Sequence, residues 1–413
     1  MSKQTTKMAV PKFRFPEFRD TVDWPMINGD KIFDPISNKN HNSDLPILAI
    51  TQEYGAIPRD KIDYQVSVTE KSIESYKVVK VGDFIISLRS FQGGIEYSNY
   101  QGLCSPAYII LRKKINVINH FFKQYFKTNI FIQNMNRNIE GIRDGKMVSY
   151  KQFSELLLPN PSPEEQQKVA DCLSSIDEHI TAQAQKLDAL KAHKKGLMQQ
   201  LFPAEGETIP TRRFPEFKDG GEWELKPLTK IGTIITGNTP STSEKEYYGG
   251  DEMFVSPADI SHHRFVIKTK TTLSDKGFSK TRQIPAQSIL FVCIGSTIGK
   301  VAQNMYECAT NQQINAVVTF DQYVSGFVYY ALDLISSKVA ELAGKQAVPI
   351  INKTLFSTVL LNITSKKEQQ KIADCLSSID ELITAQAQKL DALKAHKKGL
   401  MQQLFPAVDE VDA

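Results

Sequence analysis

The sequence predicts an α+β chain, a pseudo-twofold tandem repeat in which two mixed α/β domains are separated by two long antiparallel helices forming a coiled coil. Three observations carry this reading. A 39-residue segment occurs twice, 203 residues apart, with 37 positions identical. Both copies have the apolar spacing of a helical seam. The stretches in front of them, residues 1–158 and 210–363, share little identity and contain strand-like apolar runs punctuated by glycine.

The repeat comes first, because a missed repeat misreads the fold. Residues 165–203 and 368–406 differ only at Val169/Ile372 and His179/Leu382. A shorter repeat opens each unit: Arg14–Phe18 (RFPEF) with Asp20 and Trp24, and Arg213–Phe217 (RFPEF) with Asp219 and Trp223. The chain therefore divides into a domain at 1–158, a helical spacer with its linker at 159–209, a second domain at 210–363, and a second spacer with its tail at 364–413.

Each long repeat reads as a helix. Ser162-Pro163-Glu164-Glu165 has the form of a capping box with proline at the first helical position, and Ser365 to Glu368 repeats the S-x-x-E pattern. The apolar residues then follow a four–three spacing: Val169, Leu173, Ile176, Ile180, Leu187, Leu190, Leu197 and Leu201. The second copy gives Ile372, Leu376, Ile379, Ile383, Leu390, Leu393, Leu400 and Leu404. Gln183 and Lys194 interrupt the first seam, as register-fixing polar residues do in coiled coils. Pro203 and Pro406 end the helices. A helix of about 40 residues spans on the order of 60 Å and leaves its stripe in water unless it is paired. Antiparallel pairing brings the end of the first helix beside the start of the second, so the intervening domain stays compact with its termini close together.

The two domains read as one fold with diverged surfaces. Residues 83–88 and 107–111 in the first and 288–294 and 314–318 in the second read as strands, matching at an offset of about 206. Helical stretches follow at 119–137 and 324–343. Polar and aromatic residues cluster in the turns. In the first domain these are Arg89, Ser90, Gln92, Tyr97 and Tyr100, then Arg143 and Lys146. In the second they are Asn238, Thr239, Thr242 and Tyr247, then Ser296, Thr297, Asn311, Gln312 and Gln313. Arg, Asn and Gln present paired hydrogen bonds to base edges, and Lys, Ser and Thr suit phosphates. The same residue types also serve turn geometry.

Charge supports this division. Residues 1–158 carry 22 basic and 16 acidic side chains and residues 210–363 carry 16 and 14, whereas 159–209 carry 5 and 8 and 364–413 carry 7 and 8. The positive excess sits in the domains, as expected of parts that approach phosphates. The five cysteines form no C-x-x-C pair, the N-terminus has no apolar signal segment, and no run has the length of a membrane helix. A cytoplasmic protein with reduced thiols and no metal is expected. Gly295 to Lys300 is one residue short of a phosphate-binding loop and has Val301 in place of Ser/Thr, so it reads as a loop between strands. No nucleophile–base pair is evident, and the chain is read as non-catalytic.

The tandem arrangement of a variable domain followed by a helix opening Pro-x-x-x-Glu-Gln-Gln-Lys-Ile/Val-Ala resembles the DNA-specificity subunits of Type I restriction–modification enzymes. Here that opening runs from Pro161 to Ala170, and again from Lys367 to Ala373 without the leading proline. Gly237-Asn-Thr-Pro240 with Tyr247-Tyr248-Gly249 is similar to the start of many target-recognition domains, and Gly82-Asp83-Phe84 with Ser105 to Tyr108 to the middle of others. The resemblance implies that each domain reads one part of a bipartite, asymmetric site in double-stranded DNA. It implies that the helices set the unread spacer and dock two modification subunits, with up to two restriction subunits added. S-adenosylmethionine, ATP and magnesium would belong to those partners, and none to this chain. Two other readings stand beside it. A coiled-coil scaffold displaying two adaptor domains would show no salt-dependent DNA binding. A self-sufficient nuclease or methyltransferase would be active as the isolated chain.

Overall fold

The computed structural model describes residues 7–62, 70–87, 95–137, 149–261, 263–344 and 348–406. Two compact units make up the chain, Met1–Ala182 with Leu390–Ala413, and Gln183–Lys389. Each unit holds one domain, the first part of the long helix that follows it, and the last part of the other long helix.

In the first unit, Trp24–Asn28 pairs antiparallel with Leu157–Pro159, which brings the two ends of the domain together at the root of its helix. The main sheet comprises β1 (Phe33–Ile36), β2 (Phe84–Ile86), β3 (Glu96–Tyr97) and β4 (Ile109–Lys113), in the order β1-β4-β2-β3 with every pairing antiparallel. All of β2 is buried because both faces of the sheet are covered. Phe84 and Ile86 enter the large aromatic core, and Ile85 enters a smaller cluster with Val79 and Ile110. Phe33, Phe84, Phe122 and Phe126 meet edge-on or tilted at centroid distances of 5.1–5.7 Å, a favourable arrangement for aromatic quadrupoles.

The expected strand at 83–88 begins one residue later. The Asp83 carboxylate accepts from Arg112 Nε and Nη2 (both 2.7 Å) and from the Lys80 amide (2.7 Å), which ties Asp83 into the preceding turn. The expected helical stretch 119–137 is two helices, α1 (Asn119–Tyr125) and α2 (Asn129–Arg137). Thr128 breaks it: its hydroxyl donates to the Tyr125 carbonyl (2.7 Å) and accepts from the Phe131 amide (3.2 Å). The helix α3 (Pro163–Leu201) follows.

The second unit repeats the plan. Glu224–Pro227 pairs antiparallel with Leu360–Ile363. The sheet comprises β5 (Gly232–Thr236), β6 (Phe265–Val266), β7 (Ile289–Val292), β8 (Val301–Asn304) and β9 (Ile314–Thr319), ordered β5-β9-β7-β8-β6. Its first four strands keep the order of the first unit, and β6 adds a parallel edge. The alternation of β2 recurs in β7: Ile289 and Phe291 face one core, Leu290 and Val292 the other. The stretch expected at 324–343 is again divided, into α4 (Ser325–Leu334) and α5 (Ser336–Glu341), and α6 (Lys366–Leu404) follows. No helix among the described residues is long and apolar enough to cross a membrane.

Candidate nucleic-acid interface

The opening of each long helix is an attachment to its own domain. Ser162 Oγ accepts from the Glu165 amide (3.3 Å), the first half of the expected capping box. The second half is absent, because the buried Glu165 carboxylate is gripped by Arg14 through Nε (2.7 Å) and Nη2 (2.8 Å). Arg213 holds Glu368 in the same bidentate way (2.8 and 2.6 Å). Glu17 meets Lys168 (2.8 Å), and Glu216 meets Lys371 (3.3 Å). The two repeats visible in the sequence are thus the two halves of one joint. Arg and Glu of RFPEF bind Glu and Lys of EQQK.

The first Gln of that motif completes the joint. The Ile118 amide donates to Gln166 Oε1 (2.9 Å), and the Val324 amide donates to Gln369 Oε1 (3.0 Å). Six residues beyond each of these amides the domain reaches the helix again. Gln124 Nε2 donates to Asp177 Oδ2 (2.8 Å), and Tyr330 hydroxyl donates to Asp380 Oδ2 (2.6 Å). Each aspartate also takes a lysine from the other long helix, Lys397 to Asp177 and Lys194 to Asp380, both at 2.6 Å. In the second unit Arg264 adds bonds to Gln303 (2.6 Å), Tyr330 and Ser377 (both 3.2 Å).

The seam residues lie in these contacts. Within the first unit Val169 and Leu173 share the domain core with Leu404, and Leu400 packs against it. Within the second, Leu201 shares a core with Ile372 and Leu376, and Leu197 packs against it. Leu187, Ile379 and Leu390 are buried, and Ile176, Ile180, Leu190, Ile383 and Leu393 are half-buried. Gln386 Nε2 donates to Oε1 (2.7 Å) and the carbonyl (3.0 Å) of Gln183, its own equivalent in the other copy.

At one end of the second sheet, the loops that carry the candidate reading residues converge. The Gly237 amide donates to the Ile314 carbonyl (3.1 Å). A Cβ at Gly237 would lie 2.2 Å from Thr310 Oγ1 and 2.3 Å from the Asn311 carbonyl oxygen, so only glycine fits. Asn238 donates to the Lys280 carbonyl (3.0 Å) and accepts from the Arg282 amide (2.8 Å). Thr239 hydroxyl donates to Gln312 Oε1 (2.7 Å). Asn311 and Gln313 bond each other (3.0 and 3.1 Å), and Gln313 Nε2 donates to the Ile294 carbonyl (3.3 Å). Asn238, Asn311 and Gln313 therefore fix loop shape, while Thr239 and Gln312 lie exposed over them. Arg282 joins these loops, although no turn or spacing signal in the sequence marks it. Exposed, it donates through Nη1 to the Thr236 carbonyl (2.7 Å) and sets a cation among these loops.

The other candidates stand nearby or apart. Thr242 is exposed and Tyr247 half-buried, with the Lys276 ammonium 5.8 Å from its ring centroid. Ser296 is exposed and Thr297 half-buried in the turn between β7 and β8. That turn is the Gly295–Lys300 segment; Gly295 and Gly299 have φ of 97° and 93°, and Lys300 Nζ donates to the Ile260 carbonyl (3.0 Å). In the first unit, Tyr100 is half-buried with Lys61 4.7 Å from its ring centroid. Tyr97 corrects the sequence expectation. It is a core residue, 7 % exposed, packed on Phe84 at 5.3 Å, because the short β3 turns it inward. Burial, and then Asp83, raise the pKa of its hydroxyl. Arg89, Ser90, Gln92, Arg143 and Lys146 lie outside the described residues. Among the described residues no His, Cys, Asp and Glu cluster is placed to hold a metal.

Comparison with known proteins agrees with this architecture. The family profile described as "Type I restriction modification DNA specificity domain" matches twice, over residues 25–192 and 220–395. The HindI specificity subunit of Haemophilus influenzae is 36% identical over 151 residues, which is 35% of this chain and 32% of that one. The MjaIX specificity subunit of Methanocaldococcus jannaschii is 28% identical over 45% of this chain and 44% of its own length. This chain thus covers less than half the length of either relative. The putative MjaX specificity subunit of the same archaeon aligns over 92% of this chain and 88% of its own length at 23% identity. The crystal structure of an S subunit from M. genitalium shares the fold with a TM-score of 0.63 at 14% identity, covering 97% of this chain and 100% of that one.

Proposed function

Because the chain belongs to the family of Type I restriction–modification DNA-specificity subunits, we propose that it reads a split, asymmetric DNA sequence, one part through each unit. The observation that carries this is the pairing of a repeated scaffold with unrepeated loops. Both units keep one sheet order and one joint to the long helix, while the residues at the loop ends differ. Two readers of one design and different surface suit two unlike half-sites.

Antiparallel pairing of α3 and α6 as a coiled coil is the spacer in this reading. In the first unit Leu173 meets the core that holds Leu404, and Asp177 binds Lys397. In the second, Gln183 binds Gln386 and Lys194 binds Asp380. In both, position rises on one helix as it falls on the other, which supports the reading. The domains at 1–158 and 210–363 are the target-recognition domains, and 159–209 and 364–413 the spacers. This chain supplies the address. Modification subunits with S-adenosylmethionine, and restriction subunits with ATP and magnesium, supply the chemistry in the cytoplasm.

Mapping methylated adenines in cells that carry this chain and its modification subunit tests the proposal. A bipartite, non-palindromic motif is expected. A contiguous or palindromic motif would overturn it. Exchanging residues 210–363 for another domain of the family should alter one half-site and leave the other.

A further inference from the structure

The turn between α1 and α2 and the last part of α6 enclose a cleft of about 170 Å³ in the first unit. Lys127, Thr128 and Asn129 line one side, and Lys394, Lys397 and Lys398 the other. Two of these amines have partners: Lys127 Nζ lies 2.5 Å from Glu96 Oε1, and Lys397 Nζ 2.6 Å from Asp177 Oδ1. Lys394 and Lys398, one helical turn apart and exposed, make no ion pair among the described residues. Half-buried Lys123, outside the lining, has its pKa lowered by burial, with Asp177 opposing and Lys397 reinforcing the shift. Four ammonium groups thus line the cleft, two of them paired with the carboxylates of Glu96 and Asp177. Asp391, a turn earlier on α6, is not part of the lining.

The second unit provides a built-in comparison. Residues 191–195 of α3 have the same sequence, KAHKK, as residues 394–398 of α6. The shared bonds of Ile118 and Val324, and of Gln124 and Tyr330, align the domains at an offset of 206. Lys127, Thr128 and Asn129 then correspond to Asp333, Leu334 and Ile335. Lys194 is engaged by Asp380 and lies 5.2 Å from the Tyr330 ring centroid. The pentapeptide of α6 thus shares a cleft with Lys127 and Asn129, whereas at the corresponding positions of the second unit stand Asp333 and Ile335.

We propose that the cleft of the first unit is a phosphate site for the DNA backbone beside the half-site read by that unit, with Lys394 and Lys398 as its sequence-independent contacts. The inference rests on the DNA-reading function proposed above. Lysine and asparagine side chains are usual partners of phosphate oxygens, while the Thr128 hydroxyl is committed to the turn itself; lysine is depleted from the cores of protein interfaces. The site should therefore add affinity without altering sequence choice.

The test uses the full chain assembled with its modification subunits and a duplex carrying the mapped target, titrated with salt. Lys394→Gln with Lys398→Gln should lower the log–log salt slope by about 2 and leave the methylated motif unchanged. Lys191→Gln with Lys195→Gln, the same change in the other copy, should leave the slope unchanged. Thermal melting of both variants should match the parent, since these side chains are exposed. An unchanged slope in the first pair, or an equal fall in both pairs, overturns the proposal. Loss of subunit assembly in the Lys394 and Lys398 pair alone would assign the cleft to a protein partner and also overturn it. If the parent complex itself shows no site-specific binding, the functional reading fails instead.

Discussion

A charged pair taken out of water holds only while both partners remain. Arg14 and Glu165 have side chains 7% and 2% exposed, and Arg213 and Glu368 7% and 1%. The hydrogen bond to Glu165 raises the pKa of Arg14 while burial lowers it. Arg14→Ala leaves a buried carboxylate without its partner and should cost the first unit about 3–5 kcal/mol. The chain's two tryptophans report separately, Trp24 buried in the first unit and Trp223 in the second. In a Trp223→Phe background, urea denaturation should show the Trp24 transition moved to lower denaturant; an unmoved transition would place the joint among dispensable surface pairs. The cysteines give a second prediction at this scale. Burial pushes the thiols of Cys104, Cys293 and Cys308 up to about 12. A folded pKa raised above the unfolded value near 9 means full stabilisation below about pH 9, lost as pH climbs toward 12. Buried Tyr125, Tyr329 and Tyr330, raised in the same direction, steepen that alkaline loss. At pH 8 a thiol-specific chromogenic reagent should titrate at most Cys172 and Cys375 in the native chain and all five cysteines in urea. More than two fast thiols before unfolding would contradict this burial.

Elements were legible in the sequence where one periodicity ruled a long stretch. The spans of α3 and α6 follow from the four–three spacing, the Ser-x-x-Glu openings and the closing prolines. Strands β2, β4, β7 and β9 follow from apolar runs, though their ends shift by one or two residues where a side chain such as Asp83 ties the backbone to a turn. Two things were hidden. The break at Thr128 depends on a hydroxyl choosing the backbone over solvent, which spacing does not encode. The joint depends on residues 151 positions apart, Arg14 and Glu165, so its halves were visible as repeats while their bond was not. The candidate site was legible as a set of loops in the second unit; in the first, Tyr97 is a buried strand residue and Arg89, Ser90, Gln92, Arg143 and Lys146 lie outside the described residues. Its individual residues were not, because Asn, Gln and Thr serve loop geometry and base reading with the same groups. Asn238 and Gln313 are bound into the loops, and Thr239 and Gln312 stand above them. Gly237 is the position on which that arrangement turns. Gly237→Ala would drive a Cβ against Thr310 and the Asn311 backbone, displacing residues 311–313. Hydrogen exchange should quicken at Asn311–Gln313, with methylation falling at targets whose second half-site is intact. Unchanged exchange would show that the loop yields without strain.

At the scale of the whole molecule, the function proposed above treats the repeated helices as a spacer separable from the readers. The units divide between Ala182 and Gln183 on α3 and between Lys389 and Leu390 on α6. A heptad inserted at each of these two points leaves every contact within either unit in place and keeps the apolar seam on one face. In the proposed arrangement it lengthens the pair by about 10 Å, the rise of roughly three base pairs. A heptad returns the helix nearly to its starting angle. Three base pairs, however, turn the duplex by about a third of a turn, at roughly ten per turn. The readers then no longer face the grooves they faced before, so the preferred spacer should settle between one and three extra base pairs, with weaker binding than the parent. The adenine methylation map of cells carrying the lengthened chain measures this directly. Both half-sites should remain and the gap between them should widen. A gap of unchanged length would remove the helices from the role of ruler. An altered half-site would mean that the readers depend on contacts beyond their own units.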